Sequence, residues 1–175
     1  MSIDAMPDRL LDAVNEAMPG ARVERNSEGT IEVSMTPRFR HQQILAKLNF
    51  LFTLVLGDAA QDQLLPGVGV DAGTAQRMPD LAVLRAGRVD DVPPDAVYID
   101  PSLLALVVEV VSPSSSTIDS QAKRAEYASA GIPIYWVVTE DTVAVHILVK
   151  GKYLVTYLPF DQAKLLEYLG SLDFS

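Results

Sequence analysis

Three residues offer chemistry in this sequence. Glu109 sits inside LLALVVEVVSP, Leu103 to Pro113, a run otherwise suited to the middle of a β-sheet. A carboxylate taken out of water needs a cation or a proton to compensate it. Asp80 follows Pro79 directly ahead of the apolar run LAVL. Proline cannot donate to a strand ladder but can precede a strand, so Asp80 is expected at a strand mouth. Lys123 lies in DSQAKRAEYASAG, one turn into the helix expected after the strand of Glu109, with Asp119 and Gln121 nearby.

Side chains alternate along a strand, so Leu103, Ala105, Val107, Glu109 and Val111 are expected on one face. If the following helix folds back over that face, Lys123 comes near Glu109. Two carboxylates and an ammonium would then answer the question that Glu109 raises. Mg²⁺ is a hard cation that takes oxygen ligands and keeps several waters. Two carboxylates and one backbone carbonyl leave room for water and a phosphate oxygen. A metal so held lowers the pKa of bound water and offsets charge at phosphorus. A lysine beside it can orient the water or stabilise added negative charge.

The elements that must position these residues follow from spacing. Apolar residues at Leu10, Leu11, Val14 and Met18 predict a helix closed by Pro19-Gly20. NSEG, Asn26 to Gly29, reads as a turn between ARVER and TIEVSM. From about Arg40 to Leu56, the stripe Ile44, Leu45, Leu48, Leu51, Phe52 and Val55 predicts a helix stopped by Gly57. LLPGVGV and LAVL are short strands, and LLALVVEVV, apolar on both faces, is a central one. SPSSST offers N-caps to the helix that carries Lys123, and Gly131 and Pro133 end that helix. IPIYWVV, TVAVHILV and KYLVTYLP are three successive strands, and the tail DQAKLLEYLGSLDFS fits a helix or a last strand. One α+β or α/β domain over residues 1–175 is expected, with a mixed central sheet flanked by helices and residues 1–20 as a helical extension.

The 175 residues are 49% hydrophobic, enough for a substantial core. With no cysteine, disulfides and thiolate metal sites are excluded. The N-terminus lacks the basic and unbroken apolar regions of a signal peptide, and LNFLFTLVLG is about half a membrane span. These features read as a soluble cytoplasmic protein with no membrane partner. A net charge of −9 weighs against gripping nucleic acid by general electrostatics. The densest basic patch is Arg38, Arg40 and His41, with Arg22 and Arg25 upstream.

The combination of MPDLAVL, VVEVVSPSS and D-x-x-x-K-R-x-x-Y-A-x-x-G-I-P-x-Y-W-V-V, with MTPRFRHQQI upstream, resembles the Uma-two family of the PD-(D/E)XK nuclease superfamily. The resemblance runs from about Glu32 to Tyr153. It implies a restriction-endonuclease-like fold, a DNA substrate, Mg²⁺ or Mn²⁺ as cofactor, and homodimers as a habit of such domains. By position it implies Asp80 and Glu109 as metal ligands and the carbonyl of Val110 as a third. The superfamily lysine would fall at Val111. The Uma-two variant carries it on the helix, which gives the role to Lys123. Ser112 and Asp119 match family positions as support for the ligands, and His41 falls where the family has a histidine. Gln121 is near the site by helical geometry.

Blander readings stand beside these. Glu109 is then a strand-end carboxylate reaching solvent, and Asp119 with Lys123 an ordinary surface ion pair four residues apart. His41 is then structural or solvated, and His146 a strand-surface residue. Tyr127, Tyr135 and Trp136 are core or interface aromatics. The leading function is a metal-dependent DNA endonuclease. The alternatives are a non-catalytic nucleic-acid or protein binding module on the same fold, and an enzyme acting on another phosphorylated molecule.

Overall fold

The computed structural model describes Ala17 and residues 22–34, 39–111 and 117–175. The helix expected near residues 6–20 and the cap segment SPSSS lie outside the described residues, apart from Ala17. The chain opens with the hairpin β1 (Arg22–Arg25) and β2 (Ile31–Ser34), followed by the long helix α1 (Phe39–Leu56) and the single turn α2 (Ala60–Gln63). The short strands β3 (Leu64–Pro66), β4 (Gly69–Asp71), β5 (Gln76–Arg77), β6 (Leu81–Leu84) and β7 (Tyr98–Ile99) come next. The central strand β8 (Leu104–Val110) leads to α3 (Thr117–Ser129), then β9 (Ile134–Val138), β10 (Thr142–Val149), β11 (Lys152–Pro159) and α4 (Gln162–Gly170). The ambiguous tail is therefore a helix, capped by the Asp161 side chain on the Lys164 N–H.

The expected mixed central sheet is present, and a second, smaller sheet accompanies it. One has the order β2-β1-β5-β4-β7, the other β11-β10-β9-β8-β6-β3. Each is mixed, with one parallel pair: β4 with β7, and β8 with β9. LLPGVGV explains the division. Gly67, at φ 64, turns the chain between β3 and β4, so one apolar run supplies a strand to each sheet. Helices α1 and α4 cover one face of the six-stranded sheet, packing Leu48, Leu51, Phe52, Leu165 and Leu169 against Leu106, Val108 and Trp136. Helix α3 and the smaller sheet share the other face, where Val70, Ile99 and Tyr127 meet Val107 and Tyr135.

All seven residues of β8 are buried, as the two-sided apolar run requires. The expected alternation holds from Leu106 to Val110 and breaks at Leu104 and Ala105. Pairing with β6 shifts from Val83↔Leu106 to Leu84↔Leu104, which leaves Ala105 as the extra residue of a bulge, packed with the opposite cluster from Val107. By length and composition the stretch Phe39–Gln63 also suits a membrane span. Here its Ile44, Leu48, Leu51 and Phe52 are packed into the core.

Candidate active site

Asp80 stands immediately before β6, with its carbonyl still on the strand ladder, accepting from Gly67 N at 3.1 Å. β6 pairs antiparallel with β8 through Leu81↔Val108, so the same register carried one residue on sets Asp80 across from Glu109. Opposed residues on such a pair share a face, with Cβ atoms about 4.5–5.5 Å apart. The Asp80 carboxylate is fixed by the chain itself, since Oδ2 accepts from Val110 N at 2.7 Å. Its Oδ1 lies 3.2 Å from Nε2 of His41, which the first turn of α1 delivers. Asp80 is 7% exposed and Glu109 is 4% exposed.

The cation that Glu109 requires is Lys123. As the strand parity and the return of α3 predict, Nζ of Lys123 lies 3.2 Å from Glu109 Oε1. The phenol of Tyr127, one turn further along α3, donates to the same oxygen at 3.0 Å. Lys123 is itself buried, which rules out the surface-pair reading of this residue. Its ammonium also lies 3.2 Å from Oε2 of Glu24, a buried glutamate on β1. Oε1 of Glu24 accepts from the backbone N–H of Met78, two residues before Asp80, at 2.7 Å.

Beside this group runs a second charged layer. Arg77 on β5 is fully buried. Its Nε donates to Glu126 Oε2 at 2.7 Å and its Nη1 to Glu32 Oε2 at 3.0 Å. Glu126 Oε1 accepts from Ser27 N at the hairpin turn, at 2.9 Å. Burial pushes the Arg77 pKa down, but the hydrogen bond and charge of Glu126, with the charges of Glu24 and Glu32, outweigh it and hold the guanidinium firmly protonated. Burial likewise pushes the Glu126 carboxyl up, and Arg77 and the Ser27 N–H outweigh it, leaving the carboxyl below its ordinary range.

The structure thus brings Asp80, Glu109, Lys123, Val110 and His41 together. Gln121 is exposed, since two residues along a helix is about 200° of rotation away from Lys123. Ser112 and the side chain of Asp119 lie outside the described residues. His146, expected on a strand surface, is buried, stacked on Tyr135, with Nδ1 3.1 Å from the Tyr135 carbonyl. Four site-forming residues, Glu24, Arg77, Glu126 and Tyr127, escaped the sequence reading. One signal was available: QRMPD sets Arg77 just before a buried strand, and the question raised by Glu109 applies equally to Arg77.

The donor set suits a hard divalent cation. Asp80, Glu109 and the Val110 carbonyl are oxygen donors at adjacent strand ends. Glu24 and Glu109 each lie 3.2 Å from the Lys123 ammonium, and the buried Asp80 carboxylate stands across the strand pair from Glu109, so a divalent cation between Asp80 and Glu109 would meet oxygen donors. Among the described residues no group of three or more His, Cys, Asp or Glu is arranged as a metal cage. A cation here would therefore rest on two carboxylates and carbonyl or water oxygens.

Comparison with known proteins identifies the fold and the family. No curated protein matches the sequence. A crystal structure described as a "putative nuclease belonging to DUF820", from Anabaena variabilis ATCC 29413, superposes with a TM-score of 0.63. It is 16% identical, and the match covers 84% of this chain and 90% of that one, so the fold is shared. The family Uma2, described as "Putative restriction endonuclease", matches residues 10–173. That match takes in β1, with Glu24, as well as the strands of Asp80 and Glu109 and the helix of Lys123, and the chain belongs to the Uma2 family.

Proposed function

We propose that this protein is a metal-dependent endonuclease that hydrolyses phosphodiester bonds in DNA. One observation carries the reading: Asp80 and Glu109 face each other across β6 and β8, with Lys123 on the same Glu109. Family membership supports a nuclease and a nucleic-acid substrate. Asp80, Glu109 and the Val110 carbonyl would hold Mg²⁺ or Mn²⁺. The bound cation supplies a water of lowered pKa and offsets charge on the phosphate.

The chain's own residues do the rest. The Val110 N–H fixes the Asp80 carboxylate, so its aim depends on the β8 backbone and not on side-chain freedom. Tyr127 and Lys123 hold the Glu109 carboxylate from the α3 side. Lys123, an ammonium with three donors, orients the attacking water or meets charge developing on the phosphate oxygens. Nε2 of His41 lies 3.2 Å from the other Asp80 oxygen, Oδ1.

Calorimetric titration of Mg²⁺ and Mn²⁺ into the native protein and Glu109→Gln, with DNA cleavage by native protein and Asp80→Ala, tests the reading. The expected result is cation binding by the native protein alone and no cutting by Asp80→Ala. An Asp80→Ala protein that cuts like the native one refutes the assignment. If neither protein binds a cation, with or without DNA, Glu109 is paired with Lys123 alone and the binding-module reading replaces this one.

A further inference from the structure

We infer that Glu24 is the positioning residue of this site, a single carboxylate that sets Lys123 and the Asp80 segment relative to one another. The inference rests on the nuclease reading for its catalytic consequence, but its geometry stands apart from it. Glu24 belongs to the smaller sheet, whereas Asp80 and Glu109 belong to the six-stranded one. It is 5% exposed and uses both oxygens. Oε1 takes the Met78 N–H, and Met78 is separated from Asp80 only by Pro79, whose ring fixes the backbone between them. Oε2 takes the Lys123 ammonium.

Lys123 needs such a partner. A lysine stem has four rotatable bonds, and one contact to Glu109 leaves the ammonium free to swing about that oxygen. A second carboxylate on another element fixes its place. It would also keep Lys123 in position if Glu109 held a cation, because the Glu24 contact does not pass through Glu109. Glu24 therefore acts through Lys123 and through the Asp80 segment. It is not needed as a ligand, and nothing requires it to touch substrate.

Glu24→Gln tests this, because the amide oxygen still accepts from Met78 N while the charge facing Lys123 is gone. The first measurement is acetylation of lysines by acetic anhydride, followed by peptide mass spectrometry at low reagent. Lys123 is expected to label about tenfold faster in Glu24→Gln than in the native protein. The exposed Lys47, Lys152 and Lys164 should label at unchanged rates. Thermal melting of the same samples verifies the fold, and Glu24→Asp, which keeps the charge, should fall between native and Glu24→Gln. The second measurement is a double-mutant cycle on DNA cleavage with Lys123→Met. Glu24→Gln is expected to lower kcat about tenfold with KM little changed, and to cost nothing further in the Lys123→Met background.

Unchanged Lys123 labelling in a folded Glu24→Gln protein overturns the inference. So do losses that multiply in the cycle, or Mg²⁺ binding that vanishes in Glu24→Gln, which would make Glu24 a ligand. If the native protein cuts no DNA, the nuclease reading fails and the labelling rates alone decide the role of Glu24.

Discussion

Replacing Arg77 by methionine should be the most damaging single charge deletion in the protein. The guanidinium is fully buried and links Glu126 on α3 with Glu32 on β2. Methionine fills much of the stem volume, so the loss falls on the partners. Glu126, 5% exposed, would keep its Ser27 N–H but lose its only cation among the contacts described above. Breaking a buried pair by removing one partner costs about 3–5 kcal/mol. For a domain of this size each kcal/mol lowers Tm by about 2–4 °C, so a fall of about 6–20 °C is expected. Urea denaturation at pH 7 and thermal melting by circular dichroism measure both quantities. The double variant Arg77→Met/Glu126→Met should recover part of the loss, because it leaves no orphaned charge on Glu126. A single-variant loss under about 1 kcal/mol would refute the reasoning, because it would mean that water already reaches and solvates Glu126.

Two further outcomes follow from other parts of the molecule. A Cβ at Gly69 would lie 2.5 Å from both the Tyr98 ring and the Val97 carbonyl, so Gly69→Ala should separate β4 from β7 and cost about 1–3 kcal/mol in urea denaturation. Burial, with Arg124 nearby, holds the His146 imidazole below its ordinary pKa despite its contacts to the Tyr135 and Ala144 carbonyls. The unfolded chain therefore takes up a proton before the native one does. The stability this contributes is complete above about pH 6.5 and is lost as pH falls from there toward the native pKa. His146→Phe keeps the stacking on Tyr135 and should flatten the decline between pH 7 and 5; equal slopes would rule the assignment out. The Glu126 carboxyl, held low by Arg77, acts in a separate window, losing its contribution only as pH falls below about 4.5.

What the sequence revealed about the site was whatever one strand and the next helix determine. An acid inside VVEVV demands a partner, strand parity chooses its face, and the following helix covers that face, so Lys123 could be named in advance. Asp80 followed from the proline before it. Glu24 could not be found this way. Its β1 strand is four residues long, pairs with β2 and meets β5 at the single pair Arg25↔Gln76, so no local pattern shows that it faces inward. Tyr127 and Trp136 both read as core aromatics, and only the register of α3 against β8 gives Tyr127 a carboxylate to hold. His146 was misplaced because TVAVHILV alternates, and alternation marks a half-exposed strand. Tyr153 on the neighbouring strand and Tyr135 close over it instead. The split into two sheets was hidden because Gly67 divides one apolar run by a turn that hydrophobicity does not record.

The seam between the β1–β2 hairpin and the larger sheet is built largely of charge. Along it the buried Glu24 and Arg77 pair with the buried Lys123 and Glu126. Charged groups regain hydration when exposed, so parting this seam returns more solvation than parting an apolar one. The hairpin is joined to its sheet through one ladder pair, so its release is a sub-global opening that leaves β8 and its neighbours paired. Such an opening would part Glu24 from Lys123 and from the Met78 N–H while Asp80 and Glu109 stay on their paired strands. Local stability at the hairpin is then set by these few charged contacts, and that of β8 by the core around it.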